Sequence, residues 1–169
     1  MDKEVLDSFV ESWGAMGSIW GVNTSVARVH ALLIATDKPL SLDDIAESLK
    51  ISRGNANTCL RELRNWNVIK LIKVPGDRHD YYVSEDDVWK MTFAIARERK
   101  RREYDPALAA VRHTLSKLKK GSDHRVESRL KQMEEMLATL DGMGEKLFAN
   151  EKMAQKALSM LSVLAKIGK

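Results

Sequence analysis

Two short helical patterns followed at once by a hairpin pattern constrain the fold of this chain more than any other feature. The first helical pattern begins at Ser41, whose spacing to Asp44 is that of a capping box. It then places Leu42, Ile45 and Leu49 on one helical face. A second helix directly after such a short amphipathic helix predicts a helix-turn-helix, and the hairpin behind it predicts a wing.

The second helical pattern, Ser52–Trp66, separates an apolar face from a polar one. Its apolar side chains fall on one side of a helical wheel and are Ala56, Cys59, Leu60, Leu63 and Trp66. A separate arc is polar and consists of Arg53, Asn57, Arg61 and Arg64, with Gly54 and Thr58 at its border. Arginine, asparagine and threonine side chains can bond base edges and phosphates in a major groove. The pattern therefore predicts a recognition helix for double-stranded DNA.

Residues 68–83 have the pattern of a β-hairpin. Residues 68–74 are β-branched and apolar with interleaved lysines, and residues 81–83 return as a second strand. Pro75 and Gly76 fit the central pair of a type II turn. A basic wing tip can enter a minor groove or pair with phosphate. The candidate contacts in this wing are Lys73, Arg78 and His79, with Arg78 the first choice at the tip.

The positive charge of the chain lies in this same region. Residues 50–82 contain three lysines and four arginines against one glutamate and two aspartates, which leaves +4, and the whole chain is also +4. A local excess of positive charge in the predicted second helix and hairpin favours a nucleic-acid partner. The alternative is an ordinary solvated, mildly basic surface.

Composition excludes several other classes of protein. A length of 169 residues fits one domain with an extension or two small domains, and the one cysteine, Cys59, excludes an intramolecular disulfide framework. We therefore expect a reducing, cytoplasmic location, and the absence of a long apolar run predicts no membrane partner. The four histidines lack zinc-ligand spacing and no catalytic motif is present, so we expect no metal site, no cofactor and no enzymatic activity.

The rest of the chain is predicted to be helical. Two helices, from about Glu4 to Trp20 and from Ser25 to Thr36, precede the winged motif, and the residues Ser84–Asp87 resemble a capping box that opens a helix reaching Glu103. Residues 105–167 contain three heptad-like seams, with a break expected at 121–123 and Asn150 expected to cap the last helix. The stripes are narrow, which favours a dimerisation region over an intramolecular three-helix bundle.

These patterns define the predicted architecture. The fold class is mainly α with a small β-hairpin wing: a winged helix-turn-helix with a helical dimerisation extension. The predicted domains are residues 1–104, the N-terminal helix and DNA-binding domain, and residues 105–169, the helical dimerisation region. The run from Arg97 to Glu103 is either a solvated helical face, because i,i+4 pairs such as Glu98 with Arg102 can satisfy it, or a contact with flanking phosphates.

Several segments between residues 13 and about 104 resemble the GbsR branch of the MarR-like transcriptional regulators. They are residues 20–33, 37–41, 52–55, 60–63 and 74–82. The resemblance implies a homodimeric winged-helix DNA-binding protein, usually a repressor, whose helical extensions form the dimer. It also implies that Ser52, Arg53, Asn55, Asn57 and Arg61 lie at the major groove and Arg78 in the wing.

Two questions stay open at the level of sequence. Some members of this family sense choline or related osmolytes, which an aromatic cage could bind, yet the aromatic residues Trp13, Trp20, Trp89, Phe93 and Tyr104 have core spacing. Packing is the favoured reading, and the identity of any small-molecule effector is undefined. The second question is whether the winged helix is instead a protein-interaction adaptor, which would have no need for a basic arc on its exposed helix.

Overall fold

The structure is a computed structural model that describes residues 2–118 and 124–167, with side chains through residue 160. It divides into two compact units, Met1–Ala94 and Ile95–Lys169. The break expected at residues 121–123, with its capping Ser122 or Asp123, lies outside the described residues. The functional boundary at residue 104 stays a prediction.

The first unit contains the winged helix-turn-helix. Its elements are α1 (Lys3–Ile19), α2 (Thr24–Ile34), β1 (Leu40–Ser41), α3 (Leu42–Leu49), α4 (Arg53–Asn65), β2 (Ile69–Lys73), β3 (Asp80–Ser84) and the first part of α5 (Val88–Arg99). The strands form an antiparallel sheet in the order β1-β3-β2. The predicted fold class is confirmed, and the predicted hairpin gains the two-residue strand β1 on its outer edge.

The core of the first unit lies between the helices and the sheet. The largest side chains that it buries completely are Val29, Ile45, Cys59, Leu60, Leu63 and Val68. Helix α1 packs on α2, and α2 packs on α4. A Cβ atom added at Gly17 would lie 2.5 Å from the Cβ of Ala27. Glycine at this position therefore permits the close approach of α1 to α2.

Local capping and turn chemistry positions α3 and α4. The Asp44 N–H donates to Ser41 Oγ at 3.2 Å and the Ser41 N–H donates to Asp44 Oδ2 at 2.8 Å, which confirms the capping box. Ser52 caps α4 by accepting from the Asn55 N–H at 3.2 Å. Between these helices the backbone turns at Lys50, which is left-handed with φ 53°.

The turn at the wing has the predicted chemistry. The Asp77 N–H donates to the carbonyl of Val74 at 3.1 Å, and Gly76, with φ +85°, occupies the position of a type II turn that requires positive φ. Pro75 supplies the preset φ before it. The register Lys73↔Asp80 then brings the two strands together.

The capping box predicted at Ser84–Asp87 is wrong. Ser84 belongs to β3 and pairs with Ile69, while Asp87 caps α5 by accepting from the N–H groups of Trp89 at 2.9 Å and Lys90 at 3.2 Å. Strand pairing outcompetes capping at Ser84, so the helix begins three residues later. Helix α2 also begins one residue earlier than expected, because Asn23 caps it.

The second unit is helical. After the end of α5 it contains a π-helical segment (Lys100–Tyr104), α6 (Asp105–Lys117), α7 (His124–Ala149) and α8 (Glu151–Ile167). The three helices expected in this region are therefore present, and Asn150 caps α8 by accepting from the Met153 N–H at 3.1 Å. Leu108 and Val111 of α6 are buried. Helix α7 has no buried residue along its length.

Candidate nucleic-acid interface

Helix α4 separates its side chains as the sequence predicts. Ala56, Cys59, Leu60 and Leu63 are at most 1% exposed and face the core. The side chains of the polar arc are all exposed: Arg53, Asn57, Arg61 and Arg64. At about 100° per residue these four fall within an arc of about 80°. One helix therefore presents three guanidinium groups and one amide on a single exposed face.

Ion pairing distinguishes the arginines of this arc. The Arg53 guanidinium lies 2.9 Å from Asp43 Oδ1 of α3, with the two side chains 69% and 54% exposed. Arg61 and Arg64 form no ion pair with any residue that the structure describes. Their charges can bind an anionic partner without first breaking an internal contact. Sequence analysis missed Asp43, since nothing local marks it as a partner of Arg53.

Three predicted contacts in and before the first half of α4 form hydrogen bonds within the chain. The Asn55 amide donates to Ser25 Oγ of α2 at 3.4 Å and accepts from the Cys59 thiol at 3.6 Å. Thr58 Oγ1 donates to the carbonyl of Gly54 at 3.0 Å, and Ser52 Oγ accepts the capping bond. Thr58 borders the polar arc and Ser52 precedes the helix as its N-cap, whereas the Asn55 side chain is turned towards α2.

The tip of the wing is ordered by one carboxylate. Asp77 accepts from the His79 N–H at 2.9 Å and from the Tyr81 hydroxyl at 2.7 Å, and His79 Nδ1 lies 2.6 Å from the same carboxylate. These hydrogen bonds, led by the backbone N–H of His79, lower the pKa of Asp77 to about 2. The carboxylate is therefore ionised at neutral pH and fixes the loop that carries the exposed Arg78.

The three wing candidates differ in what they already contact. Lys73 pairs with Asp80, its partner in the strand register, and His79 is held by Asp77. Arg78 forms no ion pair with the described residues, which makes it the wing cation that is available to phosphate. Asp77 was not singled out by sequence, although an aspartate directly after Pro-Gly is a common turn stabiliser.

The basic run that follows Ala96 is neutralised within the second unit. Glu98 accepts from Arg101 at 2.6 Å and from Arg102 at 2.5 Å, and these bonds, led by that of Arg101, lower the pKa of the carboxyl group. Arg97 lies 2.7 Å from Glu151. Lys100 lies 2.8 Å from Asp105, and this contact above all raises the pKa of its amine. Paired cations of this kind contribute less to phosphate binding than free ones.

Cys59 and the aromatic residues of α1 and α5 have packing contacts within the chain. Cys59 is buried, and desolvation raises the pKa of its thiol. The Trp89 and Phe93 rings pack at 6.1 Å, and Trp13 packs against Phe9 at 5.6 Å. Within residues 2–118 and 124–160 no group of three potential metal ligands comes together. No helix in the described part of the chain is long and apolar enough to cross a bilayer.

Comparison with known proteins gives two relatives of similar kind. No protein-family model matches the chain. The Bacillus subtilis protein YvaV, named as an HTH-type transcriptional regulator, is 25% identical over 88 residues, which are 52% of this chain and 50% of that protein. The HTH-type transcriptional repressor GbsR of the same organism is 25% identical over 116 residues, or 69% and 62% of the two chains. The chain thus spans about half to three fifths of the length of these relatives.

A solved structure extends the comparison to the fold. The crystal structure of a transcriptional regulator superposes with a TM-score of 0.71 at 22% identity, covering 88% of this chain and 98% of the other. This similarity shows the winged-helix fold. The two relatives that match in sequence are both named as HTH-type transcriptional regulators. The resemblance predicted from the sequence is thereby confirmed: the chain has a winged-helix fold and is similar in sequence to HTH-type transcriptional regulators, GbsR among them.

Proposed function

We propose that this chain is a sequence-specific DNA-binding transcriptional regulator that acts as a homodimer and represses its target. The observation that carries the proposal is the exposed arc of α4, in which Arg61 and Arg64 have no internal counter-ion among the described residues. The names of the two relatives support it, since both are HTH-type regulators and GbsR is named a repressor.

In this proposal α4 enters the major groove and the wing lies on flanking DNA. Arg53, Asn57 and Arg61 read or position bases, since bidentate guanidinium and amide groups match purine edges. Arg64 and Lys73 neutralise phosphates, and Arg78 meets the minor groove or the backbone. The remaining contacts line the edge of the interface: Ser52, Asn55, Thr58 and His79. Asn55 must leave Ser25 before its amide can reach a base.

The dimer is proposed from the apolar side chains that α7 and α8 leave exposed. Met133, Met136, Leu140 and Met143 are 46%, 55%, 42% and 57% exposed along α7. Met153 and Met160 of α8 are 67% and 66% exposed. A second copy would remove this surface from water. Two recognition helices about 34 Å apart would then match a pseudo-palindromic operator.

Fluorescence anisotropy with DNA from upstream of the gene encoding this protein tests the function. The duplex is compared with a scrambled duplex at two salt concentrations. Arg61→Ala should cost about 1–3 kcal/mol on the specific duplex only, whereas Arg64→Ala should weaken both duplexes alike. Arg112→Ala is the matched control, because Arg112 lies in the second unit and pairs with Glu134 at 3.0 Å.

Two outcomes would contradict the proposal. If Arg61→Ala and Arg53→Ala both leave affinity unchanged, α4 is not the recognition helix. Weak binding that is equal for both duplexes and is abolished by modest salt would reflect generic electrostatics alone. That second outcome would favour a protein-interaction adaptor in place of a DNA-binding regulator.

A further inference from the structure

Three helices of the first unit, α1, α3 and α4, end in the same backbone motif. In each, a left-handed residue donates its N–H to the carbonyl three positions back, and the next residue donates to the carbonyl five positions back. The first of these N–H···O distances are 3.0, 3.2 and 2.9 Å, and the second are 2.8, 3.0 and 3.2 Å. This is the Schellman motif, whose left-handed position is usually glycine and sometimes asparagine. The three residues at that position are Gly21, Lys50 and Asn67, with φ of 74°, 53° and 58°.

Lys50 is the unusual residue of these three. Glycine adopts the left-handed conformation without steric penalty, and asparagine visits it routinely. A lysine there brings its Cβ atom close to the following carbonyl oxygen, so Lys50, with φ 53° and ψ 43°, destabilises the folded chain relative to glycine. Residues held in such a conformation by the surrounding structure are concentrated at functional sites. The backbone of Lys50 therefore directs attention to what its side chain does.

The Lys50 side chain also differs from the other lysines of the basic segment, residues 50–82. Lys70 lies 2.7 Å from Glu85, and Lys73 pairs with Asp80 across the strands. Lys50 is exposed, and no carboxylate in the part of the chain that the structure describes pairs with it. Its ammonium group can therefore bind an anion without first breaking an internal contact.

The position of Lys50 in the fold indicates which anion this is. Lys50 lies in the turn between α3 and α4, two residues before Ser52, the N-cap of α4. In helix-turn-helix proteins the first helix crosses the DNA backbone, while the N-terminal residues of the second contact base edges. The turn that joins the two helices then lies beside the sugar-phosphate backbone, where a lysine binds phosphate as a point charge.

We propose that Lys50 binds a backbone phosphate of double-stranded DNA at the edge of the groove that α4 enters. This inference rests on the proposed function and adds a contact that strengthens binding to any sequence. The alternative role is structural, since a cation at the C-terminus of α3 interacts favourably with the helix dipole. The two roles predict opposite changes in stability when the side chain is removed.

Lys50→Gly in the full chain should make the protein more stable and its DNA binding weaker. The unfolding temperature of the first unit, followed by tryptophan emission, should rise by roughly 4 °C because the left-handed strain is relieved. Affinity should fall by the same factor for the upstream duplex and the scrambled duplex, measured by anisotropy. For each bound chain, that factor should be about 3.5 times larger at about 50 mM than at about 200 mM salt, because one released counter-ion contributes a slope of about 0.9.

The chain offers a matched control in the same motif at the end of α4. Asn67→Gly introduces glycine at the equivalent left-handed position without changing the charge, so DNA affinity and its salt dependence should stay as in the unmodified protein. Lys50→Asn gives the turn after α3 the residue type of the turn after α4, and it should weaken DNA binding as Lys50→Gly does. Lys50→Arg keeps both the cation and the strained backbone, so it should retain the affinity and the unfolding temperature of the unmodified protein.

Each other outcome overturns a definite part of the inference. Unchanged affinity and salt dependence in Lys50→Gly would exclude the phosphate contact, and a lower unfolding temperature would assign the lysine to the dipole of α3. A loss confined to the upstream duplex would make Lys50 a base contact and not a phosphate contact. If the unmodified protein binds neither duplex, the proposed function fails and this contact with it. A protein that binds DNA but is insensitive to Lys50 overturns the contact alone.

Discussion

Replacing His30 by glutamine should reduce the stability that the first unit loses between pH 7.5 and pH 5. His30 lies on α2, is 4% exposed, and packs edge-on against Trp13 with ring centroids 6.4 Å apart. Its Nε2 has no hydrogen-bond partner in the structure. Burial of this imidazole without a counter-ion lowers its pKa from 6.5 to about 4, because desolvation penalises the charged form.

The direction of the effect follows from the lowered pKa. In the unfolded chain His30 takes up a proton as the pH falls below 6.5, whereas the folded protein resists protonation until about pH 4. The unfolded state binds more protons in this window, so the free energy of unfolding falls as the pH falls through it. At ~1.36 kcal/mol for each pKa unit the full loss is about 3 kcal/mol, of which about 2 kcal/mol accrues between pH 7.5 and pH 5.

Urea denaturation at these two pH values measures the loss. The chain has four tryptophans, Trp13, Trp20, Trp66 and Trp89, and all lie in the first unit, so their emission reports its unfolding. His113→Gln, at an exposed histidine of α6, is the control and should retain the full pH dependence. His30→Gln should shrink it by about 2 kcal/mol. An unchanged difference between the two pH values in His30→Gln would refute the reasoning.

Three further predictions concern the recognition surface and its supports. Gly54→Ala should raise the free energy of unfolding by roughly 0.5–1 kcal/mol, because alanine favours the helix and its Cβ would meet nothing within 4 Å. In the proposed complex the same Cβ faces the duplex, so DNA affinity should fall. Equal or tighter DNA binding would contradict a close approach of the duplex to this first turn. Ser41→Ala should cost about 1 kcal/mol in urea denaturation through loss of the capping box, and no change would mean that water replaces the cap. Arg64→Ala should reduce the salt slope of DNA binding by about 1, whereas Arg97→Ala should leave it unchanged, and a reversed pattern would move the interface to the second unit.

The elements predicted correctly from sequence are those that are determined by residues only a few positions apart in the chain. Ser41 and Asp44, three residues apart, form the cap of α3 between themselves, and Pro75-Gly76 forms its turn within four residues. The exposed arc of α4 was predictable for the same reason, because a period of 3.6 residues fixes which side chains share a face. Burial of one face then determines which arc remains exposed.

The features that sequence missed depend on residues far apart in the chain. Strand β1 has two residues and exists because Leu40 and Ser41 pair with Tyr82 and Tyr81, which no local pattern shows. The misplaced cap at Ser84 has the same origin, since pairing with Ile69 keeps it in the sheet. The site follows this rule as well: the Asn55 amide is turned by Ser25, thirty positions away in the sequence.

The basic residues of this chain differ mainly in whether each forms an ion pair within the protein, and less in the net charge around them. Arg53 is the informative case, because its guanidinium is shared with Asp43 while both side chains remain largely exposed. An exposed ion pair contributes about 0–1 kcal/mol, whereas a bidentate contact with guanine is worth about 1–3 kcal/mol of discrimination. A duplex that offers guanine at the right position can therefore take Arg53 from Asp43, and one that offers only a weak acceptor cannot. In the proposed complex Asp43 thus lowers the affinity for a duplex that engages Arg53 by at most the free energy of the exposed ion pair, about 0–1 kcal/mol, and Asp43→Ala should tighten operator binding by no more than that.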